Sequence, residues 1–127
     1  MKNKFYFYLG GFRELRYEIH YKNKKFNISF GSNGQHITFY TDPPKHCNWE
    51  RFFLFLDSIN IWEWKNEYVN HNILDGTQWE IEFSNSVKKI KSFGSNKFPD
   101  KKKFKKLIEE IEILFQLQEL KKEFKGN

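Results

Sequence analysis

The chain has a single cysteine, Cys47. No internal disulfide can staple the fold, which points to a reducing compartment. No apolar run approaches the ~18 residues of a membrane span. The basic start, Met1–Lys4, leads only into the short run Phe5–Leu9, which Gly10-Gly11 breaks without a small-residue cleavage site. It reads as a first strand rather than a signal peptide, and the expected setting is cytoplasmic, with no membrane partner.

Catalytic and cofactor signatures are also missing. His20, His36, His46, His71 and Cys47 show no zinc-ligand spacing, which argues against a metal site. No Walker loop, dinucleotide fingerprint or nucleophile elbow is present, so no cofactor is expected. Cys47 precedes an aromatic helix and could feel its N-terminus, yet no base accompanies it. Glu18, Glu80 and Glu82 lie on the outward side of strands, where such residues usually pair with neighbouring lysines. The expectation is a protein that is not an enzyme.

Aromatic residues, by contrast, make up 20% of the 127 residues, with 15 Phe, 6 Tyr and 4 Trp. Much of the apolar area therefore sits in few, large side chains, and the length suits one domain spanning 1–127. The net charge of +6 is unevenly spread. Lysine and arginine exceed acids in the strand-rich segments, while residues 42–78 are acidic.

Period-2 alternation marks the strands. Tyr17, Ile19 and Tyr21 alternate with Glu18 and His20, and Phe26, Ile28 and Phe30 with Asn27 and Ser29. Trp79, Ile81 and Phe83 alternate with Glu80 and Glu82. The return strand from Val87 to Phe93 does not keep phase, which a bulge or a shifted turn would absorb. Two further strands are expected at Phe5–Phe12 and around Ile37–Phe39. Asp42-Pro43-Pro44 is a break, and Asp75-Gly76-Thr77 a turn.

A motif recurs. Tyr17–Asn33 and Trp79–Asn96 share a strand pattern and end in the identical run Ser-Phe-Gly-Ser-Asn. This suggests an internal pseudo-duplication, with half-repeats at about 17–60 and 79–125 related by approximate two-fold symmetry. The expected class is α+β: an antiparallel sheet of about six strands with two helices on one face, in the order ββββαββα.

Helical spacing places the first helix over Asn48 to about Asn60, with Trp49, Phe52, Phe53, Leu56 and Ile59 on its apolar side. The state of Ile61–Tyr68 is left open. The last helix, opened by Pro99-Asp100, would run to Lys125, about 39 Å at ~1.5 Å per residue. Lys101, Lys102, Lys103, Lys105 and Lys106 crowd its first turns, against the helix dipole. Its apolar stripe drifts onto Ile113, Leu117, Leu120 and Phe124, as though the distal end docked elsewhere.

Trp64-x3-Tyr68, followed by Leu74-Asp75-Gly76-Thr77-Gln78-Trp79 and Gly94-Ser95-Asn96-x-Phe98-Pro99, resembles a pattern in small uncharacterised bacterial and phage-type proteins. It covers about residues 62–115, and the resemblance implies no activity. Read physically, these positions are a turn, a core tryptophan and a strand-to-helix exit.

Small proteins without catalytic constellations often act as immunity proteins or as inhibitors (anti-CRISPR-like) of larger effectors, and the expected class is a small non-enzymatic protein-binding module. The expected partner is a protein, through Trp62, Trp64, Tyr68, Leu117, Leu120 and Phe124, or a second copy through the C-terminal helix. The alternative is nucleic-acid binding through Lys88, Lys89, Lys91, Lys101, Lys102, Lys103, Lys105 and Lys106.

Overall fold

The structure, a computed structural model, describes residues 3–11, 14–32, 35–41, 47–72 and 76–120. The Asp42-Pro43-Pro44 break, Phe12, Asn33, His46, Leu74, Asp75 and Phe124 lie outside the described residues. The chain divides into two compact units, Met1–Asp42 with Trp62–Pro99, and Pro43–Ile61 with Asp100–Asn127.

The first unit is a seven-stranded sheet. Its strands are β1 (Lys4–Gly11), β2 (Glu14–Lys22), β3 (Lys25–Ser32), β4 (Gln35–Thr41), β5 (Glu67–Val69), β6 (Thr77–Ser84) and β7 (Lys89–Ser95). Across the sheet the order is β4-β3-β2-β1-β6-β7-β5. All pairs are antiparallel except β5·β7, so the sheet is mixed. The expected class, α+β with about six strands, holds, with three-residue β5 added at one edge.

Alternation decides the faces. Phe5, Phe7 and Leu9 of β1, Tyr17 and Ile19 of β2, Ile28 and Phe30 of β3, and Trp79, Ile81 and Phe83 of β6 are all buried. Cross-strand register puts them on one side of the sheet, since Phe7 opposes both Ile19 and Ile81. The β2–β3 hairpin turns through two residues, Asn23 and Lys24, at φ 53° and 62°. Left-handed residues in both central positions give the turn whose twist matches a hairpin.

The repeat has a different meaning in three dimensions from the one its sequence suggests. β2 and β6 flank β1 and both run antiparallel to it, so they point the same way. Ile19 and Ile81 also share a face. A two-fold axis normal to the sheet would reverse strand direction, and one along β1 would turn the core face outward. Neither superposes the two strands as the sequences align, so β2 and β6 are not related by a two-fold axis of the sheet. The hairpins extend in opposite directions from β1, an arrangement that no rotation reproduces.

The phase problem in β7 resolves without a bulge in that hairpin. Residues 78–84 of β6 pair continuously with 95–89 of β7. The turn residues are Asn85–Lys88, and Asn85 Oδ1 accepts from the backbone N–H groups of Val87 and Lys88, both at 2.8 Å. Ile90, Ser92 and Gly94 then face the core, and Phe93 faces out. The register irregularity lies elsewhere, between Leu9 and Gly10 against β2.

The second unit contains α1 (Trp49–Ser58) and α2 (Lys101–Leu114). Asn48 caps α1, its side chain accepting from Arg51 N–H at 3.0 Å. Asn60, at φ 55°, ends the C-terminal turn in the left-handed region. Asp100 caps α2 by accepting from Lys103 N–H at 3.0 Å. Phe52, Leu56, Phe104, Leu107, Ile111 and Leu114 are buried at helical spacing. The Trp49 ring meets Phe115 edge-on at 5.7 Å, and Arg51 pairs with Glu110 at 3.1 Å.

The last helix is shorter than its stripe implies. It ends at Leu114, because Gln116 takes φ 53° and its N–H bonds to Ile113 O rather than continuing the ladder. Residues 117–120 resume as one helical turn. The apparent drift of the stripe is the signature of this break: past the left-handed residue, Leu117 swings into the core at 1% exposure.

Candidate functional site

Strand alternation that buries Phe5, Phe7 and Leu9 sends Tyr6 and Tyr8 to the opposite face. Around them, register builds two rungs. One runs Asn27–His20–Tyr6–Glu82–Lys91 across β3, β2, β1, β6 and β7. The other runs Ser29–Glu18–Tyr8–Glu80–Phe93 across the same strands. At ~4.8 Å between strands, five strands span about 19 Å. His20, Glu82, Lys91 and Phe93 are exposed, and Tyr6, Tyr8, Glu18 and Glu80 half-buried.

The centre of this face is ordered by Tyr6. Its hydroxyl donates to Glu18 Oε2 at 3.0 Å, and its ring lies 4.6 Å from the His20 ring at 51°. Burial, then the hydrogen bond and charge of Glu18, then the charge of Glu80, push the phenol well above its ordinary value of 10.0. Tyr6 is thus a fixed hydrogen-bond donor at neutral pH. Glu18 is held by this tyrosine rather than by the lysine that its strand position suggests. Glu82 stands opposite Lys91. The arrangement offers rings, carboxylates and a cation on one face of the sheet, which is chemistry for recognition.

The aromatic residues after α1 form a second centre, this one inward. Trp79 is 1% exposed. Trp64 meets it edge-on at 6.3 Å, Tyr68 lies 6.0 Å away, and Phe98 stacks at 6.4 Å and 12°. Trp79 Nε1 donates to Lys97 O at 2.9 Å. Tyr68 accepts at its hydroxyl from Lys65 N–H at 2.9 Å, and Ser92 Oγ donates to Lys65 O at 2.6 Å. Trp64 and Tyr68 are therefore structural supports of Trp79, half-buried by that role. Trp62 is half-exposed, with Lys88 Nζ 5.5 Å from its ring centroid.

The remaining candidates separate. Leu117 is in the core and not available to a partner; Leu120 is half-buried, and Phe124 lies outside the described residues. Lys88, Lys89 and Lys91 are exposed on the β6–β7 hairpin, and Lys101, Lys102, Lys103, Lys105 and Lys106 on α2. The two lysine groups belong to different units. Burial raises the Cys47 thiol above its ordinary value, opposing the activation that a helix N-terminus would give. Among the described residues no group of His, Cys, Asp and Glu could hold a metal ion, and no helix is long and apolar enough to cross a membrane.

Sequence reading missed the tyrosine-centred face. The signal was present in Phe5–Leu9, where Tyr6 and Tyr8 alternate with the buried residues. Their alignment with Glu18, Glu80 and Glu82 requires knowing that β1 sits between β2 and β6. The chain matches no family model and no curated protein.

Proposed function

We propose that the protein is a non-enzymatic protein-binding module, and that the Tyr6–Tyr8 face of the sheet is its contact surface. The observation that carries this reading is the two-rung array itself. Tyrosine and phenylalanine rings on an open sheet face, ringed by polar groups, are the composition of interface centres. Three carboxylates, Glu18, Glu80 and Glu82, stand against Lys91 on these rungs, within a chain of net charge +6. On the same face the neighbouring rung is basic, with Lys25, Lys22, Lys4 and Lys89 exposed. The face therefore suits a partner segment that presents both charges around an apolar centre, as an inhibitor or immunity protein would meet on a larger effector.

The test compares proteins captured from host lysate, after nuclease treatment, by the parent and by a Tyr8→Ala/Phe93→Ser variant. A protein captured by the parent and depleted at least about tenfold with the variant supports the reading, since hot-spot truncations cost about 2 kcal/mol or more. Identical captured sets would refute it.

Nucleic-acid binding is the second reading. It is favoured by the exposure of all eight lysines named for it, Lys88, Lys89, Lys91, Lys101, Lys102, Lys103, Lys105 and Lys106. Binding of that kind weakens linearly in log affinity against log salt concentration. The absence of any mobility shift at low salt removes it.

A further inference from the structure

The exposed stripe of α2 has a spacing and a charge order that match themselves when reversed. Lys102, Lys106, Glu109 and Ile113 follow one another at intervals of four, three and four residues and lie on one side of the helix. All four are exposed, Ile113 by 52%. Turned end for end, the stripe sets each Lys106 against a Glu109 and each Lys102 stem against an Ile113. This pattern is what an isologous contact requires, because residue i meets residue j and j meets i.

We infer that α2 is the contact helix of a homodimer, in which two copies of this stripe pack antiparallel about a two-fold axis between Lys106 and Glu109. The inference goes beyond the proposed function and involves a different unit of the chain. It also accounts for a feature that the isolated helix leaves unexplained. Lys101, Lys102, Lys103, Lys105 and Lys106 sit at the positive end of their own dipole, and the first turn holds no acid. An antiparallel partner brings its Glu109 and the negative end of its dipole alongside Lys102 and Lys106, the two of these lysines that lie on the stripe. The lysine stems lie over Ile113 while their heads stay in water. One pair of 14-residue helices falls short of the ~1,200 Å² of a standard stable complex, so the dimer is weak and salt-sensitive.

Sedimentation velocity on the full chain at low salt, over a concentration series, tests it. The expected result is a monomer–dimer equilibrium that shifts to monomer in about 1 M salt, where screening acts over ~3 Å. Lys106→Glu alone and Glu109→Lys alone each weaken the dimer about tenfold or more, by converting two attractive pairs into two repulsive ones. The double variant, Lys106→Glu with Glu109→Lys, restores it. Thermal unfolding of each variant separates loss of association from loss of fold. Monomer at every concentration, or a dimer indifferent to both reversals, overturns the assignment, as does failure of the double variant to recover.

Discussion

Gly94 lies against the indole of Trp79, so closely that a Cβ at position 94 would collide with Trp79 Nε1 and Cε2 and come within 2.7 Å of Lys97 O. The two residues are direct partners across β6 and β7. One strand thus leaves out a side chain so that the other can bury the largest one available. The indole N–H then reaches over the missing Cβ to the chain beyond the strand, where it bonds to Lys97 O. This contact ties the end of β7 to the aromatic group of Trp64, Tyr68 and Phe98.

Gly94→Ala therefore forces the indole to move and strains or breaks its hydrogen bond. The expected cost is about 1–3 kcal/mol of unfolding free energy, the range for overpacked cores. Urea unfolding followed by tryptophan fluorescence measures it. A change below about 0.5 kcal/mol would mean that the ring has room that the structure does not show.

Tyr6 predicts an alkaline limit. In the folded protein its phenol keeps its proton above the ordinary value of 10.0. The unfolded chain releases that proton near 10, so it binds fewer protons than the folded state there. Stability is complete below about 10 and declines as pH rises toward the folded value. Tyr6→Phe removes this decline. Glu18→Gln removes a charge and lowers the Tyr6 value, so phenolate absorbance develops at lower pH than in the parent. Superimposable titrations of the parent and Glu18→Gln would contradict the assignment.

Asp100 predicts an acid limit at the start of α2. The hydrogen bond from Lys103 N–H is the main cause holding its carboxyl below the ordinary 3.8. The stabilisation is present above about 3.8 and is lost as pH falls through the folded value. Asp100→Ala lowers the melting temperature at neutral pH and flattens its fall on acidification. Asp100→Asn keeps the cap and most of the neutral-pH stability. Equal melting temperatures for all three proteins at neutral pH would show that the cap contributes nothing.

Strand alternation in β2, β3 and β6, the apolar spacing of α1 and the Asp100 start of α2 are legible in the sequence. Each depends on residues two to four apart, whose faces follow from backbone geometry alone. β5 is not legible, since three residues carry no period and the strand forms only beside β7. Gln116 gives no signal either, because a left-handed residue is announced by glycine or asparagine far more often than by glutamine. The candidate face was half legible: Glu18, Glu80 and Glu82 stood out, but the tyrosines that organise them did not.

Phe30 and Phe93 draw the boundary most sharply. They hold the same place in the repeated Ser-Phe-Gly-Ser-Asn, yet Phe30 is 7% exposed and Phe93 42%. Phe30 opposes Tyr17, whereas Phe93 opposes Glu80, one step out of phase. The sequence by itself determined that each run is a strand returning from a turn. Only the tertiary structure decided which way each ring points: a strand has period two, so a one-residue difference in register exchanges its faces. The four-residue turn Asn85–Lys88, against the two-residue turn Asn23–Lys24, delivers that shift. It places Gly94 under Trp79 and leaves Phe93 on the tyrosine face.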